Sequence, residues 1–70
     1  MRTSETIKTD IIRYLTKIKN VATAKEIADY LQISVPKVSA CCIMLVTERD
    51  IDRDERYIKG QGKCWVYYLN

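Results

Sequence analysis

Histidine is missing from all 70 residues, and the three cysteines form an odd set in which Cys41 and Cys42 are adjacent. Such a pattern suits neither a disulfide framework nor a zinc site, whose four nitrogen or sulfur ligands these thiols alone do not supply. No metal is therefore expected. The thiols read as small buried hydrophobes in a reducing compartment, with a redox pair between Cys64 and one of the adjacent thiols left open. No apolar run approaches the about 20 residues of a membrane span, and no signal-peptide core follows Met1, so a cytoplasmic protein is expected. A phosphate loop is lacking, as is a nucleophile spaced to meet a base, and so short a chain has little volume for a sheltered pocket. An enzyme, a bound cofactor and a small-molecule substrate are accordingly not expected. Internal repeats, linkers and low-complexity segments are absent as well, so residues 1–70 read as one domain, near the lower size limit for an unstapled core.

What is present is an ordinary globular composition, 47% apolar, with a formal charge of +3. The charge is unevenly spread. Residues 1–25 carry six Lys/Arg against two Asp/Glu, residues 26–55 three against seven, and residues 56–70 three against none. If the two basic ends meet on one surface they form a footprint for phosphates; as solvated faces they mean nothing more.

Along the chain, Thr3 or Ser4 can cap a first helix, with Glu5 placed favourably in its first turn. Ile7, Ile11, Leu15 and Ile18 follow at spacings of four, four and three, one apolar stripe that Asn20 plausibly ends. Val21-Ala22 reads as a very short edge strand. Thr23-Ala24-Lys25-Glu26 is a capping box that opens a second helix, Ala24 to Leu31, burying Ile27, Ala28 and Leu31. After Gln32-Ile33, Ser34 offers a new cap, and Pro36 is tolerated in the first turn of a third helix running from Val35 to about Thr47. Val38, Cys41 or Cys42, and Leu45 are its inward positions. The pattern then turns to alternation. Ile51-Asp52-Arg53 reads as a short strand, Gly60 and Gly62 mark a turn, and Lys63 to Leu69 reads as an aromatic strand. Trp65, Tyr67 and Leu69 share one face of it, and Trp65 is expected in the core, closing the sheet over the first helix.

The stretch from Ala24 to Ile43 has the form of a helix-turn-helix. Ile27, Leu31, Ile33, Val38 and Cys41 occupy its apolar positions, and Ala28 the position where only a small side chain lets the second helix approach. Gln32 stands where glycine usually supplies a left-handed turn, which Gln adopts at a cost of roughly 1 kcal/mol. Followed by a hairpin, this is the order of a winged helix-turn-helix: an α+β fold of three helices with a small antiparallel β-hairpin wing. In that arrangement the third helix enters the DNA major groove and the wing touches backbone or minor groove. The positions expected to meet double-stranded DNA on the third helix are Ser34, Val35, Pro36, Lys37, Ser39, Ala40 and Ile43. No carboxylate occurs between Ser34 and Thr47 to repel phosphates. Small side chains let that helix approach base edges, and Val35 or Ala40 could touch a thymine methyl. Arg56, Tyr57, Lys59, Gln61 and Lys63 in the wing, with Lys25 at the start of the second helix, are the candidates for phosphate contacts. Residues 48–55 hold five acids; these are expected to lie away from the duplex, as a solvated edge or as a surface for a basic partner.

Three runs, Ile7-Lys8-Thr9-Asp10-Ile11-Ile12-Arg13-Tyr14-Leu15, Thr23-Ala24-Lys25-Glu26-Ile27-Ala28-Asp29-Tyr30-Leu31 and Lys59-Gly60-Gln61-Gly62-Lys63-Cys64-Trp65, carry a family resemblance. Together they resemble the PapI/FaeA family, small bacterial winged-helix regulators of fimbrial operons, across about residues 5–69. The resemblance implies a nucleoid-associated regulator that acts with the leucine-responsive regulatory protein at methylation-sensitive GATC sites in phase variation. Ser39 and Ala40 depart from the larger polar or basic residues of such relatives. Modest, strongly salt-dependent affinity, reinforced by a larger DNA-bound partner, is the expectation. The rival reading is a winged helix used for protein–protein contact, or as an antagonist of another regulator. The weakly charged third helix and the acidic segment favour that reading, and homodimerisation through Ile43, Met44 and Val46 also stays open.

Overall fold

The computed structural model describes residues 3–70, so Arg2 of the basic N-terminal stretch lies outside the described residues. Helix α1 (Ser4–Ile18) begins where the Thr3 hydroxyl accepts the Thr6 amide at 3.2 Å and the chain leaves extended backbone. Its four-residue spacing buries Ile7, Ile11 and Leu15 and leaves Ile18 half-buried. The helix stops at Lys19, which turns left-handed (φ 51°) while its amide donates back to the Leu15 carbonyl. Strand β1 (Ala22–Thr23) follows at once, one residue later than the sequence pattern suggests.

Thr23 ends that strand and also opens α2 (Ala24–Leu31). Its hydroxyl accepts the Glu26 amide at 3.2 Å, while its own amide donates to Glu26 Oε1 at 3.0 Å, both halves of the capping box. Gln32 then takes the left-handed conformation (φ 57°, ψ 46°) that glycine usually supplies. The chain re-enters a helix at Ser34, whose hydroxyl accepts the Lys37 amide, and α3 (Val35–Thr47) begins with Pro36 in its first turn. The axes of α2 and α3 bend by 116°, within the about 90–120° of a helix-turn-helix pair. Ala28 is buried at the corner, where a larger side chain would push the helices apart. Both Cys41 and Cys42 turn inward beside Val38 and Leu45, because four buried positions on a 13-residue helix span slightly more than one narrow stripe.

The hairpin is longer than the sequence suggests. Strand β2 runs from Ile51 to Ile58 rather than stopping at Arg53, and β3 spans Gly62–Leu69. Polar residues such as Asp54, Glu55 and Arg56 do not look like strand formers, but cross-strand pairing overrides propensity when one partner is as strong as Cys64–Leu69. The sheet order is β1-β3-β2, antiparallel throughout, with Ile51 opposite Leu69 and Ile58 opposite Gly62. Gly60 (φ 88°) and Gly62 (φ 79°) make the reversal. Ile51 and Tyr67 join residues of all three helices in one core.

Two polar ties close the base of the hairpin. Lys8 Nζ meets Glu48 Oε1 at 2.6 Å, joining α1 to the residue that ends α3. Asn70 Nδ2 donates to the Arg49 carbonyl at 2.6 Å, just after that helix turns left-handed. Among the described residues, no single helix is long and apolar enough to cross a membrane.

One expectation fails outright. Trp65 is not in the core: it is 44% exposed. Alternation does put it on the same face as buried Tyr67, but two residues nearer the turn the start of α2 and the middle of α3 leave an open cleft beside it instead of covering it. The ring instead carries the Arg53 guanidinium, 4.1 Å from its centroid.

Candidate nucleic-acid interface

The inward positions of α3 leave Pro36, Ala40, Ile43 and Thr47, spaced four, three and four, as an outward stripe, and all four are exposed. Ser34, Val35 and Lys37 are exposed around its first turn. The stripe carries no charge. Its flanks differ. On one side Lys37 and Ala40 border a shallow cavity of about 180 Å³ shared with Ser4, Ile7 and Met44. On the other, half-buried Ser39 faces a cleft of about 210 Å³ shared with Lys25, Gln61, Cys64 and Trp65. The start of α2, the middle of α3 and the wing therefore converge on one opening, which brings together three residues the sequence singles out: Lys25, Ser39 and Gln61.

The other wing candidates reach further out. Tyr57 is 80% exposed near the tip, opposite Lys63, and Arg56 is exposed in register with Cys64. Lys59 is exposed in the turn. Lys63 is partly engaged: its Nζ lies 3.5 Å from Glu55, the acid on its own side of the hairpin. Asp52 and Asp54 fall on the opposite face, by alternation from Arg53 and Glu55, so these two acids point away from the side that Trp65 occupies. Because β2 is an edge of the sheet, its run of exposed charges also discourages a further strand from pairing there.

Two cations of the basic N-terminal stretch are drawn to partners within the fold. Lys8 is held by Glu48, whose hydrogen bond and charge raise its ammonium above the usual pKa. Lys17 is turned toward α2, where its Nζ lies 3.2 Å from the Tyr30 hydroxyl and 5.3 Å from that ring's centroid. Tyr30 in turn packs on Tyr14, 4.5 Å between centroids. Of the cations on α1 and α2, Lys25 is the one that lines the wing cleft.

The thiols are placed for packing. Burial pushes Cys42 up to about 12, with Cys41 adding to the effect, and burial also raises Cys41, against the pull of Lys8. Cys64 is half-buried near the wing, its sulfur 3.8 Å from Gln61 Oε1. Among the described residues no group of three or more His, Cys, Asp or Glu could hold a metal.

Sequence reasoning missed Trp65 and its partner Arg53 as surface features. A signal was available: Trp65 lies only three residues beyond Gly62, so a hairpin of any length carries it toward the exposed tip.

Three helices, a three-stranded antiparallel sheet and a hairpin projecting beside an open helix make this chain an α+β winged helix-turn-helix. No protein-family model matches it, and no curated protein does. Among solved structures, a possible transcriptional regulator from Methanosarcina mazei Go1 superposes over the whole of this chain with a TM-score of 0.76, at 13% identity. The chain spans 56% of that protein's length. Identity so low makes the likeness one of fold, and the PapI/FaeA resemblance rests on the sequence motifs.

Proposed function

We propose that residues 1–70 act as one winged-helix domain of a transcriptional regulator that binds double-stranded DNA and is not an enzyme. The observation that carries this reading is the open face of α3, free of carboxylates from Ser34 to Thr47 and bracketed by Lys37 and the Lys25–wing cleft. In the docked state Pro36, Ala40 and Ile43 lie against base edges in the major groove, with Ser34, Val35 and Ser39 beside them. Lys25, Lys37, Arg56, Lys59 and Lys63, with Tyr57 and Gln61, hold the flanking phosphates.

The finer reading follows the family resemblance: a cytoplasmic, nucleoid-associated bacterial regulator of a fimbrial operon, acting in phase variation with the leucine-responsive regulatory protein. An uncharged helix face offers few contacts of its own, which supports dependence on a larger DNA-bound partner. A specific observation favours a second reading, a protein-interaction module: Val35, Ile43 and Met44 expose 42%, 50% and 39% of their surface on the same helix.

A salt titration separates the two. Five candidate cations, one partly held by Glu55, predict that log K falls against log salt with a slope of about −4, given about −0.9 per neutralised phosphate. Anisotropy of a labelled promoter duplex measures it, and Lys37→Glu is expected to abolish binding while leaving the thermal melt unchanged. Binding that ignores salt, or an unaltered Lys37→Glu titration, would defeat the DNA reading and leave the interaction module.

A further inference from the structure

The cleft between the wing and the two crossed helices is built around a tryptophan that the fold leaves uncovered. Trp65 is the sole tryptophan of the chain, and an indole usually contributes more to stability buried than half in water. Its position is nevertheless held. The Arg53 guanidinium sits 4.1 Å from the ring centroid. Arg53 stands in direct register with Tyr67, a core residue of β3. The ring is thus held by its neighbour on β2 and presented at the mouth of the cleft. None of the residues lining that cleft is Asp or Glu, whereas Lys25, Ser39 and Gln61 all border it; the nearest acid along the hairpin, Glu55 in register with Trp65, is paired with Lys63. At about 210 Å³ the cleft is smaller than the about 300–1,000 Å³ of small-ligand pockets. An apolar plate, a cation and hydrogen-bonding side chains around a short open trough fit one unit of an anionic polymer better than a free metabolite.

We propose that this cleft is a backbone-binding subsite, in which Trp65 packs on a deoxyribose of one strand of duplex DNA while Lys25 and Gln61 bind the adjoining phosphate. The proposal rests on the duplex-binding reading above and deepens it. Arg53 acts as a positioning residue, fixing the plane of the ring. The subsite gives the small, uncharged face of α3 a fixed register on the duplex, since phosphate and sugar contacts orient a protein without reading sequence.

Because Trp65 is the only indole, its emission reports the cleft directly in the unmodified protein. A short mixed-sequence duplex with an end label is titrated at low salt, and label anisotropy and tryptophan emission are followed together. Emission is expected to shift with the same midpoint as anisotropy, and Trp65→Ala is expected to weaken duplex affinity by about ten-fold, a loss of about 1.4 kcal/mol. If the alanine variant fails to melt cooperatively, the emission titration of the parent protein decides alone. Duplex binding with unchanged emission overturns the subsite and leaves the DNA reading standing. A larger emission shift with the corresponding single strand overturns it too, since the ring would then be stacking on bases. No binding of the parent protein to any duplex removes both.

Discussion

Replacing Gln32 by glycine should stabilise this protein, although it deletes a side chain and adds no contact. Gln32 sits at the helix-turn-helix corner with φ 57° and ψ 46°, its amide donating to the Ala28 carbonyl, and its side chain is exposed. A side chain in the left-handed region costs about 1–2 kcal/mol through the clash of Cβ with the following carbonyl. Glycine removes that clash but frees the unfolded chain, which offsets about 0.5–1 kcal/mol of the gain. The net is about 0.5–1 kcal/mol, and for a domain of this size each kcal/mol moves Tm by about 4–8 °C, so a rise of about 4 °C is expected. Far-UV circular dichroism during heating measures it, with Gln32→Ala as the control: alanine keeps the Cβ and should melt within about 0.5 kcal/mol of the parent. Duplex affinity should not change, because the corner already has the geometry glycine prefers. A Gln32→Gly protein that melts at or below the parent temperature refutes the reasoning. Lys19 and Arg49, at φ 51° and 66°, close α1 and follow α3 under the same constraint, so strain at all three helix ends would have to be reconsidered together.

Three further predictions test the capping of α2 and the state of the thiols. Thr23→Ala should cost about 1 kcal/mol, and combining it with Glu26→Ala should cost less than the sum of the two, since each removes half of one reciprocal motif; urea denaturation of the four proteins reads the coupling. Native alkylation should modify Cys64 first and spare Cys42, whose thiol is pushed up to about 12 by burial. Because the folded thiol is raised above its unfolded value of about 8.5, the stability it contributes is whole below that pH and is lost as pH climbs toward the folded value. Cys42→Ala should therefore flatten the alkaline fall in stability, and a parallel fall in both proteins would argue against the buried thiol as its cause.

Local chemistry is what reads directly from the chain. Thr23 and Glu26 at the right separation, Ser34 before Pro36, and the spacing of Ile7, Ile11 and Leu15 each declare a helix start or a buried face, because those effects act across a few neighbouring residues. The boundaries of α2 and α3 and the left-handed Gln32 were legible for that reason. The α3 face was legible too, since a helix whose buried positions are known has its exposed ones assigned by geometry.

Residues far apart in the chain tell a different story. The length of β2 depends on β3 lying beside it, and nothing within Asp52–Arg56 announces that partner. The fate of Trp65 depends on how closely α2 and α3 approach the hairpin: alternation chooses a side of the sheet, but only the packed body decides where that side stops being interior. Likewise Lys8 finds Glu48 and Lys17 finds Tyr30, partners 40 and 13 positions away. Helices and their caps are thus set by short-range hydrogen bonding and periodicity, which a linear chain carries openly. The cleft that joins Lys25, Ser39, Gln61 and Trp65 exists because three elements meet in space, and no spacing along the chain encodes that meeting.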